Sequence, residues 1–267
     1  MVMGRPHPAE TVSKPSEQSA RSALAFMNDH LGECLRLPDI ADHLGYSPFH
    51  FSRQFRAATG IPPGEFLTAL RFQRAKQLLL DDDSAVVDIC TRVGFTSLAT
   101  FTRRFHQWVG VTPAAPRTVA SAVSERPTTP FSLGDPRTSR VDVTIEVADH
   151  GMLQPPLVWL GWYSRPVPIG LPAAGMVRYG GGVVHLPLAP GHPWLMAFTV
   201  PRDADVGDHL APAAPVVAAH PSPIIAACRV KLTCRPASAL GVPMLSALPA
   251  LHPIQGAGPE RITSRRG

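Results

Sequence analysis

Residues 37–63 read LPDIADHLGYSPFHFSRQFRAATGIPP, and the pattern returns about fifty positions later as VVDICTRVGFTSLATFTRRFHQWVGVTP, residues 86–113. Each copy has an apolar-striped first segment, a glycine where the chain turns, a Ser or Thr able to cap a helix, and a second apolar-striped segment. The second copy carries one additional residue just past the turn. This order predicts a helix-turn-helix, present twice.

The second helix of each copy has two different faces at about 100° per residue. The expected core faces consist of Phe51, Phe55 and Ala58 in the first copy and of Phe101, Phe105 and Trp108 in the second. The opposite faces carry arginine, small hydroxyl side chains and no carboxylate, which suits a major groove bordered by phosphates. The predicted DNA-binding residues are Phe49, Ser52, Arg53, Arg56, Leu98, Ala99, Thr102, Arg103 and His106.

Arg53 and Arg103 occupy equivalent places on these outward faces. The guanidinium fork can pair with guanine O6 and N7, so contact with base edges is the first interpretation. Phosphate contact and an ordinary solvated charge are the alternatives.

A long helix is predicted between the copies, over residues 63–80, with two apolar stripes that suit a scaffold wedged between both units. It also carries Arg71, Arg74 and Lys76. Two interpretations of these cations stay open, a place near the DNA backbone and a solvated helix face.

Composition divides the 267-residue chain into five parts. We expect a disordered leader over residues 1–16, a helical domain over 17–117, a linker over 118–140, a β-rich domain over 141–252 and a flexible tail over 253–267. Because the apolar stripes close on one another within the helical domain, that domain is expected to fold alone.

The β-rich part consists of short apolar or alternating runs separated by Pro and Gly. Predicted strands are 141–147, 157–163, 183–188, 194–200 and 230–234. The domain is expected to sense a ligand or to self-associate, and pairing of its sheet with a second chain also suits the strands. Trp159, Trp162, Tyr163 and Trp194 are the candidate effector pocket, with filling of the domain core as the alternative.

Composition and motifs also exclude several classes of protein. Four scattered cysteines are too few for a disulfide framework, and Pro and Gly cut the uncharged stretches short of a membrane span. The net charge of +5 favours a polyanionic partner. Because none of the common catalytic or metal-binding motifs is found, we expect a cytoplasmic protein that is not an enzyme and has no catalytic residues, metal site or cofactor.

Residues 19–117 resemble the AraC/XylS family of bacterial transcription regulators. The resemblance rests on the two unequal units and on the runs Gly94-Phe95-Thr96-Ser97, Phe101-Thr102-Arg103-Arg104-Phe105 and Gly110-Val111-Thr112-Pro113. It implies a seven-helix domain with one recognition helix of each unit in successive major grooves, and base-facing positions at Phe49, Ser52, Arg53, Leu98, Ala99, Thr102 and Arg103. Pro116 stands where the family has an aromatic residue, so a shortened final helix is expected.

The C-terminal half resembles, less specifically, the β-sandwich of prealbumin-like and carboxypeptidase-regulatory-type domains. The expected fold is therefore multidomain: an all-α DNA-binding domain with two helix-turn-helix units joined by a long helix, followed by an all-β, sandwich-like domain.

The expected function is that of a sequence-specific activator or repressor. Its partners would be double-stranded DNA, a small-molecule effector and RNA polymerase in the case of an activator, with a homodimer as a further expectation. The alternative is an interaction protein that docks on DNA non-specifically and whose β domain carries the main function.

Overall fold

The computed structural model describes residues 15–81, 83–125, 128–135, 137–147 and 154–251. The tail expected over 253–267 lies outside these residues, as does the leader apart from Pro15 and Ser16, which begin the first helix. The helices are α1 (Pro15–Asp29), α2 (Leu37–His43), α3 (Pro48–Thr59), α4 (Pro63–Asp81), α5 (Val86–Arg92), α6 (Leu98–Val109), α7 (Ala115–Glu125) and α8 (Val206–Leu210). Within the described residues, no helix combines the length and hydrophobicity that crossing a lipid bilayer requires.

Helix α4 joins two aromatic cores. Near its start, Phe66 packs edge to face on Phe55 of α3, with ring centroids 5.5 Å apart. Further along, Phe72 meets Phe105 of α6 in the same geometry at 5.6 Å. The two apolar stripes predicted for this helix are confirmed, because each stripe belongs to a different core.

The turn between the helices of each pair depends on a glycine. Gly45 follows α2 and Gly94 follows α5, with φ of 71° and 80°, a region that side chains with a Cβ disfavour. The next helices begin at matching N-caps, since the hydroxyl of Ser47 accepts from the amide of His50 and that of Ser97 accepts from Thr100. The additional residue of the second pair therefore lies between its glycine and its cap.

The strands form one mixed sheet rather than two layers. They are β1 (Phe131–Leu133), β2 (Arg140–Val147), β3 (Leu157–Tyr163), β4 (Gly175–Tyr179), β5 (Gly182–Pro187), β6 (Trp194–Val200), β7 (Val216–Ala219) and β8 (Arg229–Pro236). Their order is β1-β4-β3-β6-β7-β8-β2-β5, and of these neighbours only β2 and β8 run parallel. All five predicted strands are present. The sandwich is not confirmed, because β7 and β8 join both parts of the sheet edge to edge.

The sheet curls around a core that both of its ends share. Val143 of β2 and Trp162 of β3 are fully buried in this core, although three strands separate β2 from β3 in the sheet. The other face of β3 is covered as well, since Trp159 packs in a second cluster with Met244 and Leu248. A strand covered on both faces is apolar throughout, which explains the run LVWLGWY.

The helical and β-rich halves pack against each other. Leu210 and Leu245 are buried in the core around Phe72, and Val167 and Leu240 are buried in the core around Phe51. At the surface, Arg165 and Glu65 form an ion pair of 2.6 Å across the same boundary. The two halves are therefore continuous in their hydrophobic cores.

Part of the segment expected as a linker, 118–140, is ordered structure. Helix α7 covers its beginning and β1 lies near its middle. Val119 and Ala120 pack on the core around Phe72, which gives the helix a reason to form. The shortened final helix is wrong: α7 has 11 residues, because Pro116 lies in its first turn, where a missing amide hydrogen costs no helical bond.

Candidate nucleic-acid interface

Helices α3 and α6 each present one face to solvent. Phe51 and Phe55 are 1% exposed and Phe101 and Phe105 are fully buried, so the core faces are as predicted. On the opposite face Phe49 is 79% exposed. The predicted DNA-binding residues are exposed or half-buried throughout: Phe49, Ser52, Arg53, Arg56, Leu98, Ala99, Thr102, Arg103 and His106.

The two outward faces correspond position by position. Counted from the serine N-caps, Ser52 corresponds to Thr102, and Arg53 corresponds to Arg103. The faces differ one turn earlier, where the first helix carries the large ring of Phe49 and the second carries Ala99. The fold therefore presents the same polar pair twice, with different apolar neighbours.

The charge of both faces is positive or neutral. Neither helix has an acidic residue in its first turn. Among the described residues, no carboxylate forms an ion pair with Arg53, Arg56 or Arg103. Their guanidinium groups keep all their donors for a partner such as phosphate or a guanine edge.

The basic residues of α4 have structural contacts instead. Arg71 donates to the carbonyls of Leu31 and Glu33, at 3.1 and 2.7 Å, and burial lowers its pKa. Lys76 is 1% exposed and donates to the carbonyls of Met244 and Leu245 at 2.8 and 3.2 Å. A place near the DNA backbone is therefore wrong for Lys76, because the β-rich half covers this side of α4. Arg74 stays exposed beside Gln77.

The four aromatic residues of the candidate effector pocket are not together. Trp159 and Tyr163 line a cavity between the sheet and the C-terminal segment. Trp162 points to the opposite face, as strand alternation requires, and is fully buried in the curled core. Trp194 is half-buried at the start of β6 and is not among the residues that line this cavity.

The cavity includes residues that the sequence pattern does not single out. Thr59 reaches it from the end of α3, and Met244 and Leu248 cover it from a segment near the end of the described chain. These three residues lie far apart in sequence, so local periodicity carries no signal for them. The turn residues Pro and Gly around 166–172 mark a loop, but not its place over the sheet.

Comparison with known proteins adds a family to this geometry. Residues 40–118 match the family model described as a helix-turn-helix domain. The chain is 33% identical over 103 residues to the regulatory protein PocR of Salmonella typhimurium, covering 39% of this chain and 34% of PocR. It is 34% identical over 91 residues to the HTH-type transcriptional activator AarP of Providencia stuartii, covering 34% of this chain and 67% of AarP.

A solved structure is similar over the same half of the chain. It is a transcriptional regulator with an AraC-type DNA-binding domain from Chromobacterium violaceum, 30% identical, matched over 42% of this chain and 96% of that one with a TM-score of 0.37. The chain thus spans about a third of PocR but two thirds of AarP. From the matched helix-turn-helix domain and these regulators, the chain belongs to the AraC family of DNA-binding transcription regulators.

Proposed function

We propose that this protein is a sequence-specific transcription regulator that inserts α3 and α6 into successive major grooves on one side of a DNA duplex. The α2–α3 and α5–α6 pairs are its two helix-turn-helix units, and α4 holds them at a fixed separation. The proposal includes no catalytic step, in keeping with relatives that are described as regulators.

One observation carries this proposal: Arg53 and Arg103 are exposed, lack ion-pair partners, and occupy equivalent positions on two helices with matching caps. A single recognition helix needs a second subunit to read two half-sites. One chain with two such helices reads two segments about one helical turn apart, and the site need not be a palindrome.

The apolar neighbours of the arginines divide the reading between the helices. Phe49 and Leu98 are exposed large apolar side chains, at 79% and 43%. Exposed apolar side chains on a groove-facing surface can contact the methyl group of thymine. We expect α3, with a ring beside Arg53, to discriminate bases more strongly than α6, where Ala99 makes the smaller contact.

The first prediction concerns the two arginines. In the full chain, Arg53→Ala should cost about 1–3 kcal/mol of specific binding and relax the preference at one or two base pairs of one segment. Arg103→Ala should do so in the other segment, with the smaller loss. Selection of preferred sites from a random DNA library, with the wild type and both variants, measures this. Arg229→Ala, an exposed arginine on β8, is the matched control and should leave the selected motif unchanged.

Two outcomes contradict the proposal in different ways. If both variants keep the wild-type motif while affinity for all sequences falls, the arginines contact phosphate, and the salt dependence then drops by about one unit per contact. If the wild type selects no motif at all, the protein docks on DNA non-specifically and its β-rich half carries the main function. Specific binding typically exceeds non-specific binding by about a thousandfold or more.

A further inference from the structure

A cavity of about 310 Å³ lies between the outer face of the sheet and the segment from Ala237 to Leu251. Strands of the sheet form one wall, with Trp159, Val177 and Phe198 among the lining side chains. The opposite wall consists of that segment and of the loop around Val167. The volume is at the lower end of the roughly 300–1,000 Å³ that small-molecule sites occupy.

The lining is apolar and uncharged. None of the described residues around the cavity has a charged side chain, and burial raises the pKa of Tyr163 to about 12, so its phenol stays neutral. Met176, Met196 and Met244 contribute flexible side chains that adapt to the shape of a bound molecule. This chemistry favours an uncharged, largely apolar ligand and disfavours an ion.

One polar group at the cavity lacks a partner. The ring of Trp159 borders the cavity, and its buried indole nitrogen has no hydrogen-bond partner among the described residues. An unpaired buried donor costs about 1–3 kcal/mol. A hydrogen-bond acceptor on a bound molecule would remove this cost, which defines one polar feature of the ligand.

Both walls opposite the sheet are bonded to the helical half. Met244 lines the cavity with its side chain, and its carbonyl accepts the hydrogen bond from Lys76 of α4. The same segment reaches α6, since the amide of Ala247 donates to the carbonyl of Val109 at 2.9 Å. The loop does likewise, because the amide of Gly170 donates to the carbonyl of Trp108 at 2.7 Å.

The end of α3 touches the cavity directly through Thr59. Each proposed recognition helix therefore meets the cavity or its walls at its C-terminal end. A molecule that moves either wall changes contacts at both helices, which gives the site a physical route to the DNA-binding surface.

We propose that this cavity binds a small, uncharged, largely apolar molecule with one hydrogen-bond acceptor, and that its occupancy changes the affinity of the protein for DNA. The second half of this statement rests on the proposed function, whereas the binding site itself does not. Residues 252–267 follow Leu251 at the cavity, but their sequence carries Glu260 and three arginines. Such a segment does not match an uncharged apolar site, so the proposed occupant is a separate molecule.

The test uses the full chain and prodan, an uncharged naphthyl ketone whose emission shifts to the blue in apolar surroundings. Saturable, blue-shifted binding is expected. Val217→Phe places a ring in the cavity and should weaken binding by about tenfold or more. Val216→Phe is the matched control on the opposite face of β7 and should change the affinity by less than about twofold. Trp159→Phe keeps the ring but removes the donor, and should weaken binding by about fivefold.

A second variant covers the case in which Val217→Phe does not fold. Ala219 lines the cavity and is exposed, so Ala219→Trp narrows the entrance without disturbing a core. It should also weaken prodan binding. Binding that survives both substitutions, or the absence of saturable binding, overturns the cavity site. Binding that appears only after deletion of residues 252–267 also overturns it, in favour of the tail as the occupant.

Coupling to DNA is tested with the selected DNA site. If prodan changes the affinity for that DNA, the DNA must change the affinity for prodan by the same factor, and a matching pair of shifts supports the coupling. Cavity-dependent prodan binding with no shift in either affinity overturns the coupling alone. Prodan binding by a protein that selects no DNA motif contradicts the proposed function and leaves the binding site supported.

Discussion

At the level of single residues, the buried ammonium of Lys76 is the most unusual group in the described structure. Burial lowers its pKa from the ordinary 10.5 to about 7. Between these values the unfolded chain binds a proton at this side chain that the folded protein does not bind. The contribution of Lys76 to stability therefore increases as pH rises through this window and is constant below it.

Replacement of this residue makes the effect measurable. We expect the free energy of unfolding of the wild type, relative to Lys76→Met, to increase with pH by about 1 kcal/mol per unit above pH 7. Urea denaturation at several pH values gives both curves, and contributions of other titrating groups cancel in the difference. Lys231→Met removes an exposed lysine on β8 and should leave the slope unchanged. Parallel curves for the wild type and Lys76→Met would show that the amine stays protonated in the fold.

The residues of the candidate interface and Lys76 differ in how far the sequence predicts them. On α3 and α6 one face meets the core and the other meets solvent, so helical spacing alone separates Phe51 from Arg53. Lys76 lies on a helix that is covered by both halves of the protein. Its burial depends on Met244 and Leu245, about 170 positions later, which no local pattern reveals.

At the level of elements, α3 and α6 end in the same way but in different surroundings. Gly60 and Gly110 are their C-caps, both in the left-handed region with φ of 82° and 93°. A Cβ at Gly60 would meet no atom within 4 Å, whereas a Cβ at Gly110 would overlap Leu171. The second helix therefore ends against the loop that also covers the cavity.

This pair of caps gives a matched experiment. Gly60→Ala should destabilise the protein by about 1 kcal/mol through backbone strain alone. Gly110→Ala carries the same strain and also displaces Leu171, so its cost should exceed that of Gly60→Ala by about 1–3 kcal/mol. Urea denaturation of both variants tests the difference. Equal losses would mean that the contact between α6 and the loop yields without cost.

Other elements show where local patterns are insufficient. The five longer strands were predictable because each buries at least one face. Strands β4 and β7 are short, contain half-buried positions and lie beside Gly and Pro, so their pairing partners rather than their composition define them. The one-sheet arrangement likewise depends on pairing between β7 and β8 that involves only two residue pairs.

At the level of the whole molecule, the two halves contribute to common cores. Leu210, Leu245 and Ala247 are buried with Phe72, although the sequence divides the chain by composition near residue 118. Composition identifies the helical and β-rich halves, because their periodicities differ. It does not predict their packing, because a buried apolar residue looks the same whether its partner is local or distant.

The expected autonomy of the helical half can now be stated more exactly. A fragment of residues 15–125 should be helical, because the apolar stripes around α4 remain, but it should unfold at lower urea concentration than the full chain. It lacks Leu210 and Leu245, and a fully buried leucine contributes about 1.5–3 kcal/mol. Lys76 would also be exposed to water, so the pH dependence attributed to it should disappear from the fragment.

Circular dichroism during urea denaturation, at pH 7 and at pH 9, measures both effects. A full chain cut between Glu125 and Thr128 is the control, because it loses the covalent connection but keeps the packing, and it should behave like the intact chain. A fragment as stable as the full chain, with the same pH dependence, would mean that the β-rich half contributes nothing to the helical cores. In that case the hydrogen bonds from the cavity walls to α4 and α6 could not transmit an effect of a bound molecule to the DNA-binding surface.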